Sequence, residues 1–285
     1  MRREAASKHL ADIGRSQLPA VPILMYHSIA SSAAPRFGRY VVSPEIFAAH
    51  MDHLAGEGYE PITAGQLAKR QCADRVPGRA VVLTFDDAYA DFEEVALPIL
   101  RSHNFPATLY VPTAFVGGTA LWLRDCGEAD RKILSWRSLI DVNSEGIEVS
   151  SHSHTHPQLD RVPGAVITDE LRRSRQLLED NLGVSVEGFA YPFGYWTRAV
   201  RSGVADAGYA YACSVSELAA SAMDDPFTLP RITVAGGTSV RALSRLLAAV
   251  PTPLTRRASE AKRLAWLGVR RITALGGDPQ SGRLP

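Results

Sequence analysis

Short apolar runs alternate with helically spaced segments from Val21 to Ala249, and no other feature limits the fold of this chain as tightly. The runs Val21–Tyr26, Ala80–Phe85, Ala107–Val111, Ile147–Ser150, Gly188–Tyr191, Tyr209–Ser214 and Leu229–Val234 read as strands. Between or after them, Glu45–Glu57, Asp91–His103, Trp136–Asn143, Ile167–Leu182, Thr197–Asp206 and Ser239–Ala249 read as helices. The first helix shows why. Ser43 can cap it, Pro44 suits its first turn, Phe47, Met51 and Leu54 recur at helical spacing, and Gly58 stops it. Strand–helix alternation over this length implies an α/β fold with a parallel sheet under covering helices. Seven or so units favour a barrel over an open sheet.

The chain has 285 residues, enough for one large α/β domain or two small ones. Its organisation reads as a polar arm over residues 1–20, a barrel over 21–250 and a basic helix and tail over 251–285, disordered after Gly276. Pro251 and Pro253 separate the last two. In the tail, Arg256, Arg257, Lys262, Arg263, Arg270 and Arg271 are interleaved with Leu264, Trp266, Leu267 and Ile272. Such a segment suits a helix on the outside of the barrel, a solvated helix, or peripheral contact with an anionic membrane. The arm has early positive charge but no apolar core, so no signal peptide is expected and a cytoplasmic or membrane-peripheral location is favoured over secretion. Cys72, Cys126 and Cys213 are scattered and odd in number, as expected of buried thiols in a reducing compartment. A formal charge of +1 gives no ground for nucleic-acid binding.

The chemistry-bearing residues fall at the ends of strands. Val81-Val82-Leu83-Thr84-Phe85 runs straight into Asp86 and Asp87, and the run at Ile147 leads to His152 and His156. One carboxylate and two imidazoles can hold a divalent cation with positions left open, and the spare carboxylate can serve as a general base. An aspartate at a strand-to-helix turn also commonly caps the helix, so the pair alone decides nothing. His154 points away from the other two histidines, and Ser153 and Thr155 can fix a ligand's tautomer. Tyr191-Pro192-Phe193-Gly194 forms a turn whose Phe193 N–H can stabilise an oxyanion. Trp122, Trp136, Tyr195 and Trp196 are candidate sugar platforms, and His27 ends the first strand at the same rim.

Taken together, these motifs resemble the polysaccharide deacetylases of the NodB-homology group, carbohydrate esterase family 4, over about residues 21 to 250. The resemblance rests on Thr84-Phe85-Asp86-Asp87 and on His152-Ser153-x-x-His156-Pro157-x-Leu159. Ile23-Leu24-Met25-Tyr26-His27 and Phe189-Ala190-Tyr191-Pro192-Phe193-Gly194 are similar to the branch acting on poly-N-acetylglucosamine. It implies a distorted (β/α) barrel of about seven strands. It also implies Asp86 as general base, and Asp87, His152 and His156 as ligands of one metal, usually zinc, with cobalt or nickel in some members. The implied substrate is an N-acetylated carbohydrate, contacted by Tyr191, Pro192, Tyr195, Trp196 and Trp136. An O-acetyl ester hydrolase and a catalytically impaired carbohydrate-binding barrel are the alternatives. Two departures motivate the second. Ala190 stands where much of the family has an arginine that orients the base, and no histidine follows His156 to act as general acid. The orienting partner of Asp86 is therefore unassigned, and the acid falls to His27.

Overall fold

A computed structural model describes residues 19–72, 75–249 and 251–273. Most of the expected polar arm and the end of the tail lie outside the described residues. The main sheet contains β1 (Ile23–Tyr26), β4 (Glu60–Ile62), β5 (Ala80–Phe85), β6 (Thr108–Val111), β7 (Glu148–Ser151), β8 (Gly188–Ala190), β9 (Tyr211–Cys213) and β10 (Ile232–Thr233). A separate pair joins β2 (Ser28–Ile29) to β3 (Val41–Val42). Seven strands run in the order β10-β1-β5-β6-β7-β8-β9, all pairings parallel, and β4 pairs alongside β5. They curl into a half-barrel, as the alternation predicts. Its two ends approach where Leu229, just ahead of β10, bridges Cys213 of β9.

Every residue of β5 is buried, because both faces of the strand are covered. Val81, Leu83 and Phe85 pack outward with Phe47, Met51 and Leu54 of α1 (Pro44–Gly56). Ala80 and Val82 pack inward with Ile23, Tyr110, Ala190, Tyr211 and Cys213. Side chains alternate along a strand, so the inward parity can be followed to the rim. It passes from Thr84 to Asp86 and from Ser150 to His152. Register pairs Met25 with both Thr84 and Thr233, which places His27 and Arg231 on the same inward set.

The helices follow their local signals. Ser43, Ser135, Thr197 and Ser239 accept N-cap hydrogen bonds at the starts of α1, α4 (Trp136–Ser144), α6 (Arg198–Asp206) and α7 (Val240–Ala248). Left-handed Gly183 closes α5 (Gly164–Leu182). Two features escaped the pattern. β4 carries Pro61, which argues against a central strand, yet β4 pairs on one side only and an edge tolerates proline. It leads into α2 (Ala64–Cys72). The helix expected over Asp91–His103 is a π-type turn at Phe92–Ala96 followed by α3 (Leu97–Ser102). Pro98 has no N–H to continue the α-helical ladder backwards, and the preceding turn widens. The basic segment forms α8 (Pro253–Thr273), held to the barrel by Arg256–Asp224 and Arg270–Asp160 ion pairs.

Candidate active site and metal centre

At the end of β5 the chain reverses sharply. Asp86 keeps the inward parity, and Asp87 (φ 74°) and Ala88 (φ 52°) enter the left-handed region, so both carboxylates reach the mouth of the barrel. After β7 the chain does the same at Ser153 (φ 67°) and His156 (φ 58°). These four and Phe193 (φ 60°) are five of the seven described non-glycine residues with positive φ. Each such residue costs on the order of 1 to 3 kcal/mol and persists only where its surroundings impose it. Here the surroundings are visible. The buried Glu170 carboxylate of α5 accepts from the N–H groups of His154 and Thr155 at 2.8 Å and from the Thr155 hydroxyl at 2.6 Å. Ser153 Oγ accepts from the His156 N–H at 3.1 Å. Ser153 and Thr155 therefore brace backbone, correcting the tautomer-fixing role expected of them.

Within this frame, one oxygen of Asp87 and one nitrogen each of His152 and His156 lie within 4.8 Å of one another. Asp87 Oδ1 is 3.6 Å from His152 Nε2 and 3.3 Å from His156 Nε2. His152 Nδ1 donates to the Ala190 carbonyl at 2.8 Å, which leaves the Nε2 lone pair turned toward the carboxylates. Asp87 Oδ1 has no hydrogen-bond donor, and neither does His156 Nδ1 have a partner. Burial pushes Asp87 up to about 7, opposed by the Tyr89 hydrogen bond and reinforced by the charge of Asp86. Burial also holds both imidazoles below the usual histidine range, in the neutral form a ligand needs. Acceptor atoms that converge with no hydrogen bond joining them fit a divalent cation, and two imidazoles with one carboxylate suit zinc.

Asp87 is supported from behind. Its second oxygen accepts from Tyr89 Oη at 2.6 Å, and Tyr89 lies under the Arg131 guanidinium at 5.5 Å. Arg131 is fixed in turn by Asp91 at 3.0 Å. Tyr89→Phe is expected to weaken divalent-metal affinity about 10- to 100-fold. Competition titration against a chromophoric chelator reads this directly, and unchanged affinity would remove Tyr89 from the centre.

The neighbouring carboxylate is held differently. Arg231, fully buried, makes a two-pronged contact with Asp86, Nη1–Oδ1 at 2.6 Å and Nη2–Oδ2 at 2.8 Å. Its remaining donors reach the Ser214 carbonyl at 3.2 Å and Thr84 Oγ1 at 3.3 Å. Burial alone would raise Asp86, but the Arg231 charge and hydrogen bonds and the nearby His152 hold it well below the usual carboxylate range. The orienting partner that the sequence left unassigned is thus Arg231. One arginine inside the strand-like run Leu229–Val234 was the available signal, since a buried cation must find an anion.

A cleft of about 360 Å³ opens above these groups. Among the residues expected at the site, His27, Asp86, Asp87, His152, His156, Phe193 and Tyr195 line it, as does Trp122. The His156 ring sits 4.8 Å from both Trp122 and Phe193. Gly194 (φ 73°) makes the turn feasible, because a Cβ there would meet Val215 at 2.8 Å. Four expected sugar contacts are corrected. Tyr191 and Pro192 are buried, with Tyr191 Oη donating to the Phe227 carbonyl at 2.8 Å. Trp136 starts α4 and packs against the core, and Trp196 lies beneath Arg263 at 4.0 Å; neither lines the cleft. His154 turns to Thr113 Oγ1 at 2.8 Å, away from the centre as expected. α8, absent from the expected site, supplies Ser259, Lys262, Arg263 and Trp266 to the cleft wall.

The family pattern described as "Polysaccharide deacetylase" matches residues 73–212. The Bacillus subtilis (strain 168) protein YxkH, which carries a polysaccharide deacetylase name, is 26% identical over 227 residues, 79% of this chain and 75% of its own. A poly-beta-1,6-N-acetyl-D-glucosamine N-deacetylase of Staphylococcus aureus (strain MSSA476) is 24% identical over 212 residues, 71% of each chain. Among solved structures, the Streptococcus pyogenes deacetylase PplD in complex with acetate superposes with a TM-score of 0.72 at 26% identity, covering 82% of this chain and 100% of that one. IcaB from Ammonifex degensii shares the fold, with a TM-score of 0.70 at 21% identity over 82% of this chain and 99% of its own.

Proposed function

Because this chain belongs to the polysaccharide deacetylase family, we propose that it is a metal-dependent hydrolase removing N-acetyl groups from an amino-sugar polysaccharide or oligosaccharide. The observation that carries the reading is the meeting of Asp87 Oδ1 with two imidazole nitrogens beside a carboxylate held by its own arginine. The Staphylococcus aureus relative is named for acting on poly-beta-1,6-N-acetyl-D-glucosamine, which supports the substrate class.

Asp87, His152 and His156 would hold the ion, zinc by preference with cobalt or nickel accepted. A divalent cation bound there supplies Lewis-acid polarisation of the acetyl carbonyl and a more acidic water. Asp86, ionised and held in place by Arg231, takes the proton from the attacking water. The Phe193 N–H donates to the oxygen that gains charge at the tetrahedral carbon. Burial pushes His27 down to about 4, with the Asp86 charge opposing, so its imidazole is neutral at pH 7. It can protonate the leaving amine only after receiving a proton, and Asp86 has one to pass on. Tyr195 and Trp122 line the cleft where the sugar would sit, and give it an aromatic wall.

The test is metal analysis of the purified protein coupled to acetate release from N-acetylglucosamine oligomers. Acetate release should disappear with a chelator and return with zinc or cobalt. Full metal loading with no acetate from any N-acetylated oligomer, under conditions that hydrolyse an O-acetylated polymer, would move the reading to an ester hydrolase. Release from neither would leave a binding barrel.

A further inference from the structure

The way α8 packs is the reverse of an ordinary surface helix. A helix on a soluble domain turns its apolar stripe inward and its charges outward. In α8 the inward face carries Arg256, Ser259, Arg263 and Arg270, residues at helical spacing on one side. Arg256 pairs with Asp224 at 2.6 Å, and Arg263 stacks on Trp196. Arg270, itself buried, grips Asp160 through two hydrogen bonds at 2.7 and 2.8 Å. The opposite side carries Leu254, Ala258, Ala261 and Ala265 in the same rhythm, all exposed. Leu254 is 76% exposed and Leu264 54%, with Trp266 and Val269 close behind at 46% and 48%. Exposed Arg257 and Lys262 flank this apolar strip on either side. Ion pairs therefore attach the helix to the barrel, and its apolar side is left facing outward.

We propose that the outward face of α8 seats the protein on an anionic lipid bilayer, with the active-site cleft opening beside that interface. An apolar strip bordered by cations is complementary to acyl chains beneath negatively charged headgroups. No described helix is long and apolar enough to cross a membrane, so the contact lies in the interfacial plane. The cleft adjoins it, because exposed Lys262, which borders the strip, also lines the cleft wall, and its i+4 neighbour Trp266, 46% exposed, continues that wall. A second copy of the chain is a poorer occupant. A two-fold contact through this strip sets like residues near like, crowding Arg257 and Lys262 against cations, and the alanines offer little area to offset the repulsion. The inference concerns location and stands apart from the reaction chemistry.

The experiment is co-sedimentation of the intact protein with vesicles of phosphatidylcholine alone or mixed equally with phosphatidylglycerol. Binding to the anionic vesicles is expected, with weak binding to the neutral ones and a decline as salt rises. The double variant Leu254→Gln, Leu264→Gln should bind about tenfold more weakly, and Arg257→Glu should lose affinity for anionic vesicles only. These side chains are exposed, and an unchanged thermal unfolding midpoint checks that the variants fold. Absence of binding to anionic vesicles overturns the proposal, as does binding that neither variant weakens. A wild-type dimer in sedimentation velocity that the leucine variant dissociates would assign the strip to self-association and overturn it equally.

Discussion

Arg231→Leu is expected to destabilise the protein by about 3 to 5 kcal/mol, because it leaves the Asp86 carboxylate buried with its main counter-charge removed. Arg231 and Asp86 are both essentially inaccessible, and their two-pronged contact sits within the barrel mouth. In chemical denaturation the loss should appear as a lower midpoint with the slope retained. Asp86 would recover part of the cost by taking up a proton, since burial then acts with less opposition. The double variant Asp86→Asn, Arg231→Leu should regain most of the stability, because neither partner is then a stranded charge. A small loss in the single variant, or no recovery in the double, would show that the pair does not set the electrostatics of this centre.

The largest effect on activity is expected from Asp86→Asn. A carboxylate that accepts the water proton contributes about 10²- to 10⁴-fold to rate, and the amide cannot take that role. Turnover of N-acetylglucosamine oligomers should fall by that factor, while metal content stays at the wild-type level. The separation follows from the geometry. Asp87, with His152 and His156, forms the convergent group, and Asp86 is engaged by Arg231. The corresponding change at Asp87 should instead remove the metal and the activity together. Acetate release by Asp86→Asn within about tenfold of wild type would assign the base elsewhere. Metal loss in that variant would show that the two carboxylates share the ion.

The strands of the barrel and the candidate group Asp87, His152 and His156 at their ends were readable because both depend on local pattern. The continuous apolar run of Ala80–Phe85 gives the strand, side-chain alternation sends Asp86 inward, and the cap residues Ser43 and Thr197 mark helix starts. The aromatic residues were less readable. Tyr191 and Tyr195 stand four apart around one turn, yet Tyr191 is buried and Tyr195 lines the cleft. Side-chain direction there depends on the left-handed conformation of Phe193 and Gly194, which spacing does not reveal.

By itself, the chain of residues determined where strands end and which carboxylates and imidazoles stand at those ends, since hydrophobic period and turn chemistry act between near neighbours. Only the tertiary structure decided that Arg231, 145 positions from Asp86, is the cation that orients it. It also decided that α8 forms a wall of the cleft while turning apolar surface outward. Pairing of a buried charge and the choice of a docking face are settled by distance through space, and separation along the chain carries no record of that distance.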